Sequence, residues 1–126
     1  MSVQFTIGEA TKLPSALEDS LFAELKLHGL PMPERQFKFH PTRQWKFDFA
    51  WTDTPRGIAV EIQGGIFARG RGGHNRGAYM EKTYSKINEA VRLGWRVYMF
   101  GPKACYVSKR SGQPSKALQF LRGVLQ

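Results

Sequence analysis

Apolar and polar residues alternate along the middle of the chain with the period of a β-strand. The alternation covers residues 35–40, 45–51 and 58–62, and the last run stops at Gly64-Gly65. This period places apolar side chains on one face of each strand and polar side chains on the other. The segment WRVYMF, residues 95–100, predicts a fourth strand.

Three other segments have the features of helices. Ser15-Ala16-Leu17-Glu18 has the spacing of a capping box, and leucines then recur at helical spacing, which predicts a helix over about residues 15–29. From Tyr79 the pattern is helical again as far as Gly94, a typical C-terminal stop. A final helix is predicted over about residues 114–125. The order α-β-β-β-α-β-α indicates the α/β class, with helices flanking a small mixed sheet.

Length and composition fit one domain over residues 1–126, because domains of this size close a single core. The 41% hydrophobic content argues against disorder. Cys105 is the single cysteine, so no internal disulfide forms, and we expect a reducing, cytoplasmic compartment. The first twenty residues lack a signal-peptide pattern, and nowhere do about 18 apolar residues follow one another. We therefore expect neither export nor membrane insertion.

The chain carries an excess of positive charge, with 19 Lys and Arg against 10 Asp and Glu. Such an excess attracts polyanions and favours nucleic acid as the partner, although charge alone also fits a merely soluble basic protein. No segment combines a basic face with a strongly apolar one, which disfavours a membrane surface. The glycine-rich segment IFARGRGGHNRG, residues 66–77, adds three arginines and predicts an open loop.

The turn between the second and third predicted strands sets a register for two carboxylates. If residues 52–57 form this connection, Trp51 lies opposite Ile58, and counting back along the antiparallel ladder places Asp48 opposite Glu61. Directly opposed side chains have Cβ atoms about 5 Å apart, and like charges there destabilise a sheet. We therefore expect a group that compensates the two charges.

A hard divalent cation such as Mg²⁺ would relieve the repulsion, because it binds a few carboxylates together with waters. Gly64-Gly65, directly after the acids, favours this interpretation, since glycines let a substrate or backbone approach closely. The alternative is that Asp48 and Glu61 face solvent on a half-exposed sheet, or pair with Lys46 and Lys38.

Glu18 is a third candidate carboxylate. As the last member of Ser15-x-x-Glu18 it would complete a helix cap, which is a purely structural role. It also lies one turn from Leu21, close to the core-facing stripe of the predicted helix, so a role in a site is compatible with the cap.

The order and spacing of these residues resemble the PD-(D/E)XK nucleases. Glu18 in a helix, Asp48 in a strand and Glu61-Ile62-Gln63 in the next strand match that family's α-β-β-β-α-β core over about residues 15–101. The segments FHPTRQWKFDFAW, VEIQGG, GRGGH and NEAVRLGWRVYMF are similar to those of small phage-encoded Holliday junction resolvases.

The resemblance implies Mg²⁺-dependent hydrolysis of phosphodiester bonds in four-way or branched DNA, with Mn²⁺ able to substitute. It assigns Glu18, Asp48 and Glu61 to the acidic, metal-binding positions, and Gln63 to the position where the family usually has lysine. A neutral amide cannot supply positive charge to the reacting phosphate. That charge would have to come from elsewhere in the chain.

Two lysines on the second predicted helix are candidates for this charge. Lys86 is the stronger one, and Lys82, one turn earlier, fits an ordinary solvated helix face or a DNA contact. The resemblance further implies DNA contacts from Arg69, Arg71, His74 and Arg76. It also implies a homodimer, because a four-way junction needs two symmetrical incisions. The phage-encoded relatives further imply action in the host cytoplasm.

Two other readings stay open at this point. One is a different nuclease of the family, such as a mismatch or branched-DNA nickase or a restriction-like endonuclease. The other is a catalytically idle, basic DNA-binding module, which the glutamine at position 63 favours.

Overall fold

The computed structural model describes residues 14–54, 56–63 and 73–126, without the side chains of residues 14–15 and 73–76. The elements are α1 (Pro14–Leu27), β1 (Glu34–Lys38), β2 (Lys46–Trp51), β3 (Ile58–Ile62), α2 (Gly73–Arg92), β4 (Arg96–Phe100), α3 (Pro102–Cys105) and α4 (Lys116–Leu125). Gly64-Gly65, Arg69 and Arg71 lie outside the described residues.

The four strands form one mixed sheet in the order β1-β2-β3-β4. β1, β2 and β3 are antiparallel, and the pairing of Trp51 with Ile58 confirms the predicted register. β4 runs parallel to β3, because Arg96 N–H donates to Gly57 O at the start of both strands and Gln63 N–H donates to Phe100 O at their ends. The predicted α/β class, a small mixed sheet flanked by helices, is confirmed.

Three helices differ from the sequence prediction. α2 begins at Gly73, six residues before Tyr79, so the backbone of His74 and Arg76 is helical and not part of a loop. Local glycines favour a loop, but extending an existing helix gains one hydrogen bond for each residue fixed. α1 begins at Pro14, so Ser15 lies inside the helix and the predicted capping box is wrong. The four-residue helix α3 was not predicted.

The chain divides into two compact units. The first contains the described residues up to 32 together with 62–63 and 100–126, and the second contains 33–61 and 73–99. The prediction of one domain over 1–126 stays a prediction. In the part of the chain that the structure describes, no helix has the length and apolar character needed to cross a membrane.

The core of the second unit forms where α2 packs on the sheet. Ala90 of α2 is fully buried with Phe47 and Ala50 of β2 and Ala59 of β3. Partly buried aromatic and aliphatic side chains surround this cluster: Phe37, Phe39, Trp95 and Val97. Because three of the four central residues are alanines, the helix backbone lies close to the strands. This close contact fixes which turn of α2 lies over each position of β3.

A buried polar contact joins two helices of the first unit. Glu24 of α1 is 8% exposed and accepts hydrogen bonds from the Ser115 N–H (2.8 Å) and the Ser115 hydroxyl (2.6 Å). Ser115 is also the N-cap of α4, where its Oγ accepts the Leu118 N–H at 3.1 Å. The buried carboxylate of one helix therefore holds the start of another, and both helices also bury leucines completely: Leu21, Leu25, Leu118 and Leu121.

Replacing the capping serine tests this contact. Ser115→Ala removes the cap and one of the two donors to Glu24, and we expect the free energy of unfolding to fall by about 2 kcal/mol. Ser111→Ala is the matched control, because Ser111 is exposed and accepts only a local N–H from Gln113. Chemical denaturation measures both variants, and equal losses would contradict a special role for Ser115.

Candidate active site

Glu61 carries its carboxylate on the sheet face that α2 covers. Residues two apart on a strand share a face, so Glu61 lies on the same side of β3 as Ala59, which is fully buried against Ala90. The Glu61 side chain is only 13% exposed. The alternative of a simple solvent-facing residue is therefore wrong for Glu61.

Asp48 and Glu61 are neighbours on adjacent strands. The β2–β3 ladder runs to Phe49 opposite Val60, and one residue further the Asp48 N–H donates to Glu61 Oε2 at 3.0 Å. A backbone donor thus binds the carboxylate of the neighbouring strand at the predicted position. The ladder is irregular here, since Phe47 and Ala50 pack in one cluster although they are three residues apart on β2.

Lys86 of α2 compensates the charge of Glu61. Its Nζ lies 2.6 Å from Glu61 Oε1, and the Lys86 side chain is 16% exposed. The ammonium also lies 5.9 Å from the centre of the Phe47 ring, on which it is favourably placed. Lys86 is one helical turn before Ala90, and Glu61 is two residues after Ala59, so the alanine contact brings the two side chains together. The alternative pairing of the acids with Lys46 and Lys38 is wrong for Glu61.

Burial raises the pKa of the Glu61 carboxyl above its ordinary value of 4.5. Lys86 opposes this rise, and the negative charge of Asp48 adds to it. Burial, the larger cause, and the negative charges of Glu61 and Asp48 raise the pKa of Tyr79. Tyr79 therefore titrates within the electric field of this pair of acids.

Gln36 of β1 contacts the other carboxylate. Its Nε2 donates to Asp48 Oδ1 at 3.2 Å. The backbone of Gln36 has φ of 52°, in the left-handed region that non-glycine residues rarely adopt. Such backbone strain tends to occur at functional sites, where the surrounding structure holds it.

Of the predicted site residues, the second unit brings together Asp48, Glu61 and Lys86. Glu18 and Gln63 belong to the first unit. Glu18 is 6% exposed, which agrees with its predicted position near the core-facing stripe. Gln63 is half-buried, and its Nε2 has no hydrogen-bond partner among the described residues.

The predicted DNA contacts are less defined. Lys82 is exposed on α2 and lines a cleft with Arg43 and Trp45. The side chains of His74 and Arg76, and the whole of Arg69 and Arg71, lie outside the description. Their roles stay predictions.

The sequence did not point to Gln36 or Tyr79. Only its left-handed backbone distinguishes Gln36, and an exposed polar residue on a strand gives no sign of that conformation. Tyr79 is 40% exposed, and it entered the sequence analysis only as the start of the helical pattern. The apolar stripe of α2 passes through Thr83 and Ala90, which are buried, and leaves Tyr79 at its edge.

Asp48 and Glu61 have the donor chemistry for a hard divalent cation. Ionised carboxylates accept at about four lone-pair sites each, so Glu61 keeps acceptor capacity beside its contacts with Lys86 and Asp48 N–H. Mg²⁺ is often bound by one or two carboxylates, with waters and substrate phosphate completing its shell. Within the described ranges no three His, Cys, Asp or Glu side chains form a metal-binding group, so the donor set here is a pair.

Comparisons of the chain with family models, with curated proteins and with solved structures give no match. The assignment of this site therefore depends on the sequence pattern and on the contacts around Glu61.

Replacing the lysine tests its role in holding the buried carboxylate. Lys86→Met leaves Glu61 without its cation, and we expect a loss of roughly 2 kcal/mol in the free energy of unfolding at pH 7. Because folding raises the pKa of Glu61, the loss is greatest above that pKa and shrinks as the pH falls through it and the carboxyl becomes protonated. Lys82→Met, an exposed position one turn away, is the control.

Urea unfolding of the two lysine variants between pH 4.5 and 7.5 measures this dependence. A loss in Lys86→Met that stays constant over this pH range would contradict the pairing with Glu61.

The repulsion between the two carboxylates predicts the opposite effect at Asp48. Asp48→Asn keeps the oxygen that accepts from Gln36 and removes a negative charge beside Glu61. In metal-free buffer at pH 7 we expect the free energy of unfolding to rise by about 0.5 kcal/mol. The pKa of Glu61, followed by NMR titration, should fall. Asp53→Asn in the exposed β2–β3 connection is the control, and a destabilised Asp48→Asn variant would contradict the close approach of the two charges.

Proposed function

We propose that the chain is a Mg²⁺-dependent, structure-selective DNA endonuclease that hydrolyses phosphodiester bonds in branched DNA, in the manner of a Holliday junction resolvase. One observation carries the proposal: two adjacent carboxylates on neighbouring strands, Asp48 and Glu61, share a site with the lysine Lys86. Groups of both signs favour phosphodiester hydrolysis, because carboxylates bind the metal and a nearby positive group helps to stabilise the charge on phosphate.

Each side chain has a distinct task in this proposal. Asp48 and Glu61 would hold the divalent metal, which supplies Lewis-acid activation of water and phosphate when it is bound. Gln36 orients the Asp48 carboxylate through its amide. Lys86 favours the ionised form of Glu61 against the effect of burial, and its ammonium offers the positive charge that Gln63 cannot supply. Glu18 and Gln63 retain the roles that the family resemblance implies.

The choice of four-way junctions and of a homodimer depends on the resemblance to phage-encoded resolvases. Two symmetrical incisions are most simply made by two copies related by a two-fold axis. The basic residues Arg69, Arg71, His74, Arg76 and Lys82 would bind the phosphates that flank the cut. Phosphate contacts position DNA without reading bases, which suits recognition of shape. Such an enzyme would work in the cytoplasm, where it meets the DNA.

One observation favours a second candidate, a catalytically idle DNA-binding module. Both oxygens of Glu61 already have partners, Lys86 on one and the Asp48 N–H on the other. An acid compensated within the protein has no need of a metal for stability. In this candidate the positive charge of the chain binds DNA, and Glu61 and Lys86 have only a structural role.

Neutral variants of the two acids separate the candidates. Asp48→Asn and Glu61→Gln each remove charge from the proposed metal site, and we expect Mg²⁺-dependent cleavage of a synthetic four-way junction to fall by about 100-fold or more. Junction binding, measured in EDTA by electrophoretic mobility shift, should remain within about threefold of wild type, because few phosphate contacts are lost. Asp53→Asn is the matched control and should cleave normally.

The choice of substrates completes the test. Wild-type protein is incubated with a four-way junction, a mismatched duplex and a linear duplex of the same arms, each with and without Mg²⁺. Preferred cleavage of the junction supports a resolvase, and preferred cleavage of the mismatch or of linear DNA indicates another nuclease. Binding without cleavage of any substrate, in Mg²⁺ and in Mn²⁺, would leave the idle module. Full activity of Asp48→Asn or Glu61→Gln would reject the site.

A further inference from the structure

A stack of aromatic rings leads from the core of the second unit to its surface. Phe47, which is fully buried, lies 4.0 Å from Phe39 between ring centres, with only 6° between the ring planes. Phe39 in turn stacks on Trp45 at 6.2 Å and 15°. The guanidinium carbon of Arg43 lies 4.1 Å from the centre of the Trp45 ring. The stack thus ends in an exposed cation that rests on a half-buried indole.

The backbone of the β1–β2 turn is fixed as well. His40 Nδ1 accepts the N–H groups of Thr42 (3.2 Å) and Arg43 (3.0 Å). Since Nδ1 accepts, the ring proton belongs on Nε2, which lies 3.2 Å from Glu89 Oε1 on α2. The turn that carries Arg43 is therefore tied to the helix through one imidazole, and both the main chain and the side chain of Arg43 have defined contacts.

Two clefts lie beside Arg43 and Trp45, between the turn and the polar face of α2. One has a volume of about 480 Å³, and its helix wall includes Glu81, Lys82 and Ser85. The other has a volume of about 470 Å³, and its helix wall includes Ser85 and Glu89. Arg43 and Trp45 of the turn and Ser85 of α2 line both clefts, so the clefts adjoin, and we call the shared wall on the turn side the Arg43–Trp45 ridge.

Positive charge dominates this end of the hairpin. Residues 38–46, KFHPTRQWK, contain three cations and no carboxylate. Lys38 and Lys46 are directly opposite each other at the end of the β1–β2 ladder, a pairing of like charges that destabilises a sheet unless an anion is near. Within the described residues no salt bridge to a carboxylate occupies Arg43.

The acid on the second cleft is already neutralised by its neighbours. Arg92 binds Glu89 through Nε (3.1 Å) and Nη2 (2.8 Å), and His40 binds it as well. Hydrogen bonds from Arg92 first, and from His40 second, lower the pKa of Glu89 to about 2. Glu81 lines the first cleft together with Lys82, and among the described residues no salt bridge joins Glu81 to Arg43. Neither acid therefore occupies the Arg43 guanidinium.

We infer that the Arg43–Trp45 ridge is a binding site for the phosphate backbone of DNA, with Arg43 as the contacting residue and Trp45 and His40 as positioning residues. This inference deepens the proposed function and depends on it for the choice of DNA as the anion. A guanidinium presents donors in a rigid planar fork that matches a phosphate oxygen pair, and stacking on an indole fixes the plane of that fork before binding. Less side-chain entropy is then lost on binding.

The geometry favours a phosphate contact over stacking of a DNA base. Phe39 and the Arg43 guanidinium both cover the Trp45 ring, and His40 meets it edge-on at 5.2 Å. A base would have to displace one of these groups to stack on the indole. Arg43, in contrast, reaches solvent on both sides of the ridge. Lys82, in the first cleft, lies one turn from Lys86, so DNA bound at the ridge would pass close to the proposed active site.

The test measures equilibrium binding of a labelled four-way junction and a linear duplex, in EDTA, by fluorescence anisotropy across a salt titration. We expect Arg43→Ala to weaken binding about tenfold and to lower the slope of log K against log salt by about 0.9, the value for one phosphate contact. Arg43→Lys should keep the slope and weaken binding about threefold, because it keeps the charge and loses the planar fork. Arg110→Ala removes the same charge from another exposed position and should change the affinity less than twofold.

A double-mutant cycle tests the positioning role of the indole. Trp45→Leu should weaken binding about threefold. In the Trp45→Leu background, Arg43→Ala should then lower the affinity by clearly less than it does in wild type, since the guanidinium of Arg43 is no longer held by the indole. Far-UV circular dichroism confirms that each variant is folded. If Trp45→Leu does not fold, the comparison of Arg43→Ala with Arg110→Ala still decides the inference.

Failure of the ridge and failure of the nuclease proposal give different results. Equal effects of Arg43→Ala and Arg110→Ala, or an unchanged salt slope in Arg43→Ala, overturn the ridge, even if the wild-type protein cleaves junctions in Mg²⁺. A tenfold effect of Arg43→Ala in EDTA supports the ridge even if no substrate is cleaved, in which case only the nuclease proposal falls. Additive effects of Arg43→Ala and Trp45→Leu overturn the positioning role of Trp45.

Discussion

The contact between Lys86 and Glu61 is the constraint on which the second unit depends. Two carboxylates on adjacent strands, one of them mostly buried, cannot lie beneath a helix unless the helix supplies a positive charge. The three alanines at positions 50, 59 and 90 allow the close approach, and the lysine one turn from Ala90 then reaches the acid. Packing and electrostatics therefore specify the same register of α2 on β3.

The half-buried position of the acids is electrostatically unfavourable. Burial and mutual repulsion make the ionised form of Glu61 unfavourable, and Lys86 only partly offsets this, since the pKa remains raised. Any additional cation near such a carboxylate would stabilise its ionised form. Burial and charge repulsion at Glu61 thus cost stability, and a bound cation would relieve part of that cost. The strained backbone of Gln36 beside Asp48 fits the same pattern.

Much of the fold could be predicted from the sequence, because period-two alternation and turn residues are local signals. The register of β2 on β3 followed from the length of one connection, and the end of α2 followed from Gly94, which has the left-handed φ of 99° typical of a glycine after a helix. The start of α2 was missed, since the glycines near residue 73 favour a loop locally. Local composition cannot show that a helix continues into such a segment.

The candidate site was partly predictable for a related reason. Asp48 and Glu61 come from one hairpin, so counting residues was enough to pair them. Lys86 is 25 residues from Glu61, and it was a candidate only as a substitute for the charge missing at Gln63, so its contact with Glu61 was not predicted. The left-handed conformation of Gln36 and the stack beneath Arg43 both lie in the β1–β2 hairpin, but they depend on how its two strands and its turn pack on one another. The alternation of apolar and polar residues shows neither a backbone angle nor a ring contact.

The contact between Glu24 and Ser115 ties together segments that are 91 residues apart in the chain. The Ser115 N–H and hydroxyl at the start of α4 have their acceptor only when α1 presents its buried carboxylate, and that carboxylate has its two donors only when Ser115 is in place. Neither helix can therefore fray at this point independently of the other. Helices α1 and α4 form and open together, as one cooperative folding pair.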